Sequence, residues 1–307
     1  MRSRIVAFAG LVVAAAAIFH SQPQPSQQTP GRIEVNVVNV PLVVTVTDSK
    51  GRLITGLKKQ DFKIYEDGKL QKTEGFSHEA NLPLSVALLV DTSSSTYNQL
   101  EFERSAARDF FSKVVKAGKD RAAIIGFDST PRLMTDFTDD MDKLSAGLKK
   151  LDSGGGTAVY DAILTTSEQK LGREAVERRK VIVLISDGYD TASEFSLKHA
   201  TEMAQKRDVV IYAISINAIA DTRGEEKSEG DKAIKYLVQE TGGKAYHPKK
   251  LTDLGLEFEK IEEELRSQYV LSYIPANPFN GTFRKIRVDL ANKNLKGRTR
   301  TGYYASK

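Results

Sequence analysis

Three polar segments carry the residues of this chain whose types and spacing could do chemistry. Asp91 directly follows the apolar run 86–90, and hydroxyl residues come straight after it. Asp187 comes just after a second apolar run, 181–185, and Thr157 follows three consecutive glycines. Carboxylate and hydroxyl oxygens, with no sulfur or imidazole among them, suit a hard cation such as Mg²⁺. The candidate oxygen ligands are Asp91, Ser93, Ser95, Thr157 and Asp187.

The charge of this set indicates what it could do. Two carboxylates, Asp91 and Asp187, would roughly neutralise one divalent cation, and the hydroxyls would add neutral oxygens. A cation with only two anionic ligands stays electrophilic and can take a carboxylate from a partner. We expect Mg²⁺, with Mn²⁺ or Ca²⁺ as alternatives. For Asp91 alone, a helix cap followed by turn residues is an equally good interpretation.

Alternating strand and helix patterns between residues 83 and 266 would bring these segments to one edge of a sheet. Continuous apolar runs predict buried strands, and they cover 86–90, 121–127, 181–185 and 209–216. Helical spacing of apolar residues covers 100–115, 139–151, 158–171, 194–207, 231–241 and 254–265, with a polar loop expected over 219–230. The alternation predicts a doubly wound, mostly parallel sheet with helices on both faces. Ligands bind at the carboxyl ends of strands in such sheets.

Both flanks of the α/β segment have β character. Alternating apolar residues and an Asp-Gly turn signal occur between residues 33 and 80, and alternation returns from residue 268 onward. Each flank has too few strands to close a sandwich alone. We therefore predict that they pair into one β-sandwich-like domain, with the α/β unit inserted between them.

The three polar segments together resemble the metal-ion-dependent adhesion site of von Willebrand factor type A domains. The matching pieces, in the family's order, are Asp91-Thr92-Ser93-Ser94-Ser95, Gly155-Gly156-Thr157 and Ser186-Asp187-Gly188. The resemblance covers residues 83–266 and implies one antiparallel strand at an edge of the sheet. It implies that Ser93 and Ser95 bind the metal directly. Asp91 and Asp187 would bind it directly or through water, and Thr157 would bind it when a ligand is held.

The glycines of the motif have a physical role beside this resemblance. Glycine adopts unusual backbone angles freely, so Gly155 and Gly156 would make a small shift of Thr157 cheap. We expect Gly188 to allow a close backbone approach beside the metal. The flanking segments also resemble a group of exported bacterial proteins that carry such a domain. The residues of this resemblance are Thr47-Asp48, Gly56-Leu57, Asp61-Phe62, Tyr65-Glu66-Asp67-Gly68 and Gly302-Tyr303-Tyr304.

The N-terminal segment predicts export. A short basic start precedes an apolar run over 5–19, which is shorter than a spanning helix needs, and a polar, Pro-rich stretch follows. A retained membrane anchor is the alternative to a cleaved signal peptide. The predicted organisation is a signal peptide (1–21), a linker (22–31), a β segment (32–82), the α/β domain (83–266) and a second β segment (267–307).

Composition and missing motifs narrow the function. The chain has no cysteine and a formal net charge of only +5, so thiolate chemistry is excluded and nucleic-acid binding is not indicated. No nucleophile elbow, phosphate loop or zinc-protease helix occurs, and the four histidines lack ligand spacing. We therefore expect a non-enzymatic, exported (periplasmic or secreted) module that binds an acidic group of a partner protein through its cation. The alternatives are a structural protein whose metal stabilises the fold and, further off, a metal-dependent enzyme.

Overall fold

The computed structural model describes residues 39–78, 82–94, 99–219, 224–277 and 279–305, with the side chain of Glu226 excepted. The predicted signal peptide (1–21), the linker (22–31) and the candidate ligand Ser95 lie outside the described residues.

Strands and helices alternate through the middle of the chain and give way to strands alone on either side. The strands are β1 (Val40–Thr47), β2 (Phe62–Glu66), β3 (Lys69–Gln71), β4 (Gly75–His78), β5 (Leu84–Asp91), β6 (Arg121–Phe127), β7 (Pro131–Thr138), β8 (Arg179–Ser186), β9 (Val209–Ser215), β10 (Ala245–Tyr246), β11 (Tyr269–Tyr273), β12 (Phe283–Leu290), β13 (Lys296–Arg298) and β14 (Gly302–Tyr304). The α-helices are α1 (Leu100–Val114), α2 (Met141–Lys149), α3 (Val159–Thr165), α4 (Leu197–Lys206), α5 (Gly224–Thr241) and α6 (Leu254–Arg266).

The central sheet has six strands in the order β10-β9-β8-β5-β6-β7. All neighbouring pairs are parallel except β6 and β7, so β7 is the antiparallel edge strand. Every residue of β5 is buried, as expected of a strand with helices on both faces. The predicted doubly wound, mostly parallel sheet is therefore confirmed.

Two apolar cores lie on opposite faces of this sheet. Side chains alternate along a strand, so Val86 and Leu88 differ in face from Ala87 and Leu89. Helices α1, α2 and α6 cover the first face, and α3, α4 and α5 cover the second. On the first face, the Phe110 ring of α1 stacks on a ring of α6 with centroids 4.6 Å apart.

The flanking segments form two antiparallel sheets of four strands each, in the orders β13-β1-β11-β4 and β14-β12-β2-β3. β1 pairs with β11, and β2 pairs with β12, so each sheet combines strands from both flanks. One apolar core lies between the sheets and contains Leu42 and Ile64 from the first flank with Leu271 and Ile286 from the second. The predicted β-sandwich-like unit is confirmed; the domain boundaries stay predictions.

A buried carboxylate joins the central sheet to these flanking strands. Glu264, near the end of α6, accepts hydrogen bonds from the hydroxyls of Tyr212 at 2.7 Å and Tyr246 at 3.3 Å, on β9 and β10. It also accepts one from the Thr45 hydroxyl of β1 at 3.2 Å and forms an ion pair with Arg298 of β13. Glu264 therefore holds four strands of two sheets to one helix.

Some predicted elements differ in extent. The loop expected over 219–230 is wrong from Gly224 onward, because α5 begins there. The helix expected over 158–171 is α3, a π-helical turn (Thr166–Lys170) and a 3₁₀ turn (Leu171–Arg173). No helix within the described ranges is long and apolar enough to cross a membrane.

Candidate metal centre

Asp91 and Asp187 lie at the same edge of the central sheet. β5 and β8 are parallel neighbours, with Val90 opposite Ile185, so the residues that follow these two positions emerge side by side. Asp91 is fully buried, and Asp187 is only 5% exposed. Two carboxylates in a nearly dry setting are costly unless something compensates their charge.

Hydrogen bonds hold the Asp91 carboxylate from two sides. The Ser93 backbone N–H donates to Oδ1 at 3.0 Å, and the Ser186 hydroxyl donates to Oδ2 at 2.7 Å. Burial raises the pKa of Asp91 to about 6, hydrogen bonds from Ser93 and Ser186 oppose that rise, and the charge of Asp187 adds to it. The two carboxylates therefore repel each other, and a cation bound by both would reverse that effect.

The glycine-rich turn is tied to the loop after Asp91. The Ser153 hydroxyl donates to the Ser93 carbonyl oxygen at 3.1 Å. The Gly154 N–H donates to the Thr92 carbonyl oxygen at 2.8 Å. These bonds hold the turn and the Asp91 loop as one assembly.

Thr157 is delivered to the same edge by the end of that turn. Gly155 has φ +78°, and a Cβ there would lie 2.8 Å from the Ser129 hydroxyl, so the turn requires glycine. The Gly156 N–H donates to that hydroxyl at 2.9 Å, and the Thr157 N–H donates to the Thr191 hydroxyl at 2.9 Å. Thr157 is 8% exposed, just before α3 begins.

The Asp187 loop packs tightly against α5. The Tyr189 N–H donates to Asp187 Oδ1 at 3.0 Å. Gly188 has φ +77°, and a Cβ there would lie 2.6 Å from the Gly230 carbonyl oxygen. The expected close backbone approach at Gly188 is therefore made to α5. The Asn217 side-chain amide donates to the Asp187 carbonyl oxygen at 2.7 Å and fixes the loop from β9.

Of the five predicted ligands, Asp91, Ser93, Thr157 and Asp187 lie on loops that meet at one sheet edge. The sequence interpretation missed two supporting residues. Ser186 donates to Asp91 and also accepts from the Gly188 N–H at 2.9 Å, and its signal was a hydroxyl inside the Ser-Asp-Gly motif. Asn217 had a weaker signal, as an amide just past an apolar strand.

Two other acidic residues have structural roles. Asp161 accepts hydrogen bonds from the Glu194 and Phe195 N–H groups, both at 3.0 Å. Asp140 caps α2 by accepting from the Asp142 and Lys143 N–H groups. Neither belongs to the candidate site.

The oxygen donors present fit a hard divalent cation. Two carboxylates supply a charge of −2, and hydroxyls supply neutral ligands, which is the type of donor set that Mg²⁺, Mn²⁺ or Ca²⁺ accepts. Among the described residues, no group of three or more His, Asp or Glu side chains is placed to hold a metal.

The architecture is that of a doubly wound α/β fold with its candidate site at the carboxyl edge of the sheet. Residues 86–189 match the family model of the von Willebrand factor type A domain, so this segment belongs to that family. The predicted resemblance to this domain family is thereby confirmed, and the five metal ligands stay a prediction. Domains of this family commonly mediate adhesion and protein–protein interaction.

Comparison with solved structures gives distant matches. Proximal thread matrix protein 1 from the mussel byssus has 17% identity and a TM-score of 0.50, over 65% of this chain and 49% of that one. The PilB minor pilin from Streptococcus sanguinis has 12% identity and a TM-score of 0.49, over 61% of this chain and 62% of that one. The conserved hypothetical protein BatB from Bacteroides thetaiotaomicron has 15% identity and a TM-score of 0.46, over 60% of this chain and 100% of that one. The byssal match shows a shared fold. No curated protein matches the chain.

Proposed function

We propose that this protein is an exported, non-enzymatic binding module that holds a divalent cation and uses it to bind an acidic group of a partner protein. Asp91, Ser93, Ser95, Thr157 and Asp187 would hold the cation. The observation that carries the proposal is the convergence of Asp91 and Asp187 at the ends of two adjacent parallel strands, with hydroxyls on the loops between them.

The charge balance supports an acidic ligand. Asp91 and Asp187 together neutralise a divalent cation without making the site anionic. A partner carboxylate would then meet a cation that still has a coordination position and net attraction for it, because the hydroxyl ligands are neutral. The burial of the site also supports an acidic ligand, since a cation held in a poorly solvated site attracts a negative charge more strongly than one in water.

The identity of the cation follows from the donor set. Oxygen donors alone favour Mg²⁺ in the cell, with Mn²⁺ or Ca²⁺ as alternatives. The byssal thread protein, which shares the fold, is described with zinc in its metal-ion-dependent adhesion site. That observation concerns the other protein, and it supports the proposal of a divalent cation at the same edge of this sheet.

The test uses Mn²⁺ as a spectroscopic substitute for Mg²⁺. Bound Mn²⁺ enhances the relaxation of water protons in proportion to the water molecules that it holds. We expect a short peptide with one aspartate to displace water from the bound ion and reduce the enhancement, and the asparagine version of the peptide to leave it unchanged. Asp91→Ala should abolish Mn²⁺ binding, whereas Asp109→Asn, an exposed carboxylate on α1, should not.

One observation favours a second candidate. The described ligands are nearly buried, with Thr157 the most exposed at 8%, and a cation there would also stabilise the sheet edge. If the cation raises the melting temperature but neither an acidic peptide nor an acidic protein changes the relaxation signal, the metal is structural and the binding proposal fails.

A further inference from the structure

A carboxylate lies on the apolar face of α1 with no hydrogen-bond partner among the described residues. Glu103 is 1% exposed and shares its helix face with Leu100 and Ala107, which are buried in the core beside β5. Neither of its carboxylate oxygens has a hydrogen-bond partner among the described residues. A buried acid in this state is costly, because it has lost its water and gained nothing in return.

Two more unpartnered oxygens occur close by in the chain. Gln99 Oε1 belongs to the residue one turn before Glu103 on the same helix face, and Thr92 Oγ1 belongs to the residue after Asp91. Both residues are buried. Carboxylate and amide oxygens can only accept hydrogen bonds, so Glu103 and Gln99 Oε1 each need a donor, whereas the Thr92 hydroxyl can donate or accept. A water molecule bound to a cation offers two strongly polarised O–H donors.

Electrostatics links Glu103 to the candidate metal centre. Burial raises the pKa of Glu103 well above its usual value, and the negative charge of Asp91 raises it further, while Arg104 acts in the opposite direction. Asp91 is therefore near enough to Glu103 to repel it. Glu103 does not form a direct three-carboxylate metal group with Asp91 and Asp187, since no such group exists among the described residues. A water-mediated contact satisfies both observations.

We propose that Glu103 is an outer-sphere positioning residue of the metal centre, whose carboxylate accepts a hydrogen bond from a water molecule on the cation. This inference rests on the proposed function, because it needs a cation at Asp91 and Asp187. Glu103 orients that water from the interior side, on α1, as an acceptor of its hydrogen bond. It increases the affinity for the cation and destabilises the metal-free protein.

This double effect makes the role of Glu103 measurable. We would prepare Glu103→Gln, which keeps the shape and one acceptor, and Glu103→Leu, which completes the apolar face. Free Mn²⁺ is counted by its electron paramagnetic resonance signal, and thermal unfolding is followed in the presence of a chelator. Both variants should melt above the wild type without metal. Glu103→Gln should weaken Mn²⁺ binding by about 10- to 100-fold, as is usual for outer-sphere partners, and Glu103→Leu by at least as much.

The control is Ser167→Ala, which removes another buried hydroxyl oxygen without a partner. Ser167 lies ten residues beyond Thr157 along the α3 segment, about 15 Å at the helical rise. This variant should leave Mn²⁺ affinity unchanged, which separates general relief of buried polarity from a specific effect on the cation.

Three results would overturn the inference or its basis. Wild-type protein that binds Mn²⁺ and two Glu103 variants that bind it equally well would refute the role of Glu103 alone. Variants with weaker binding but lower metal-free melting temperatures would show that Glu103 serves the fold. Wild-type protein that binds no Mn²⁺ would refute the proposed function itself.

Discussion

Replacing Glu264 should uncouple the central sheet from the flanking sheets. The Glu264→Leu variant keeps the volume of the side chain close to that of the acid but removes every oxygen that accepts from the four neighbouring strands. Arg298 then loses its counter-ion, and the hydroxyls of Tyr212, Tyr246 and Thr45 lose an acceptor.

The expected cost follows from burial. Removing one partner of a buried ion pair costs about 3–5 kcal/mol, because the other charge stays uncompensated. The side chain of Arg298 is 29% exposed and can reach water. The loss of the ion pair should therefore cost an amount at the low end of that range. The orphaned hydroxyls add about 1 kcal/mol each where no water replaces the acid. A total of about 3–6 kcal/mol is a large share of the roughly 5–15 kcal/mol that stabilises a typical domain.

Urea denaturation measured by circular dichroism tests this value. The matched control is Glu259→Ala on the same helix, which removes an exposed ion pair with Lys113 and should cost at most about 1 kcal/mol. The double variant Glu264→Leu/Arg298→Leu should recover at least half of the loss, since no unpaired charge remains. If Glu264→Leu costs no more than Glu259→Ala, Glu264 does not hold the sheets together.

Three further variants address single features of the chain. Gly188→Ala should cost more than about 2 kcal/mol in the free energy of unfolding, because positive φ and a backbone clash combine, whereas Gly118→Ala, with φ +71° and open space, should cost only about 1 kcal/mol. Asp140→Ala should cost about 1 kcal/mol through loss of the α2 cap, and Asp142→Ala should cost less; equal losses in thermal melts would contradict the capping role. Burial raises the pKa of Glu103, so the folded, metal-free protein binds a proton at this carboxyl group more tightly than the unfolded chain does. The folded state therefore loses stability as pH rises from about 4.5 toward the raised pKa. In buffer that contains a chelator, Glu103→Gln should make the free energy of unfolding depend less on pH. An unchanged pH dependence would contradict the raised pKa of Glu103.

The strands that carry the candidate site were predictable because their sequence allows one interpretation. β5 and β8 are continuous apolar runs that only a strand with helices on both faces accommodates, and both end in the polar residues of the site. The edge strand β7 gave no such signal, since an edge strand is half exposed and can mix Arg132, Thr135 and Asp136 with apolar residues.

Other elements depend on tertiary contacts that spacing does not reveal. The first seven residues of α5, Gly224–Gly230, include no apolar side chain, so the helical pattern becomes visible only from Asp231. At the end of that early part, Gly230 lies so close to the Asp187 loop that a side chain there would clash with the Asp187 carbonyl oxygen. Glu103 could have been noticed as an acid on an apolar stripe, but its lack of a partner is a property of the packed structure.

The pairing of β4 with β11 also determines the order in which the molecule can be built. Ser77 lies opposite Val270, so the first flank waits for its partner strands until the α/β segment has been synthesised. The α/β segment between them has its own two cores, which allows it to fold without the flanking strands. In the meantime β1–β4 present unpaired N–H and C=O groups, which readily pair with other chains. These edges stay open until β11 and β12 follow the α/β segment.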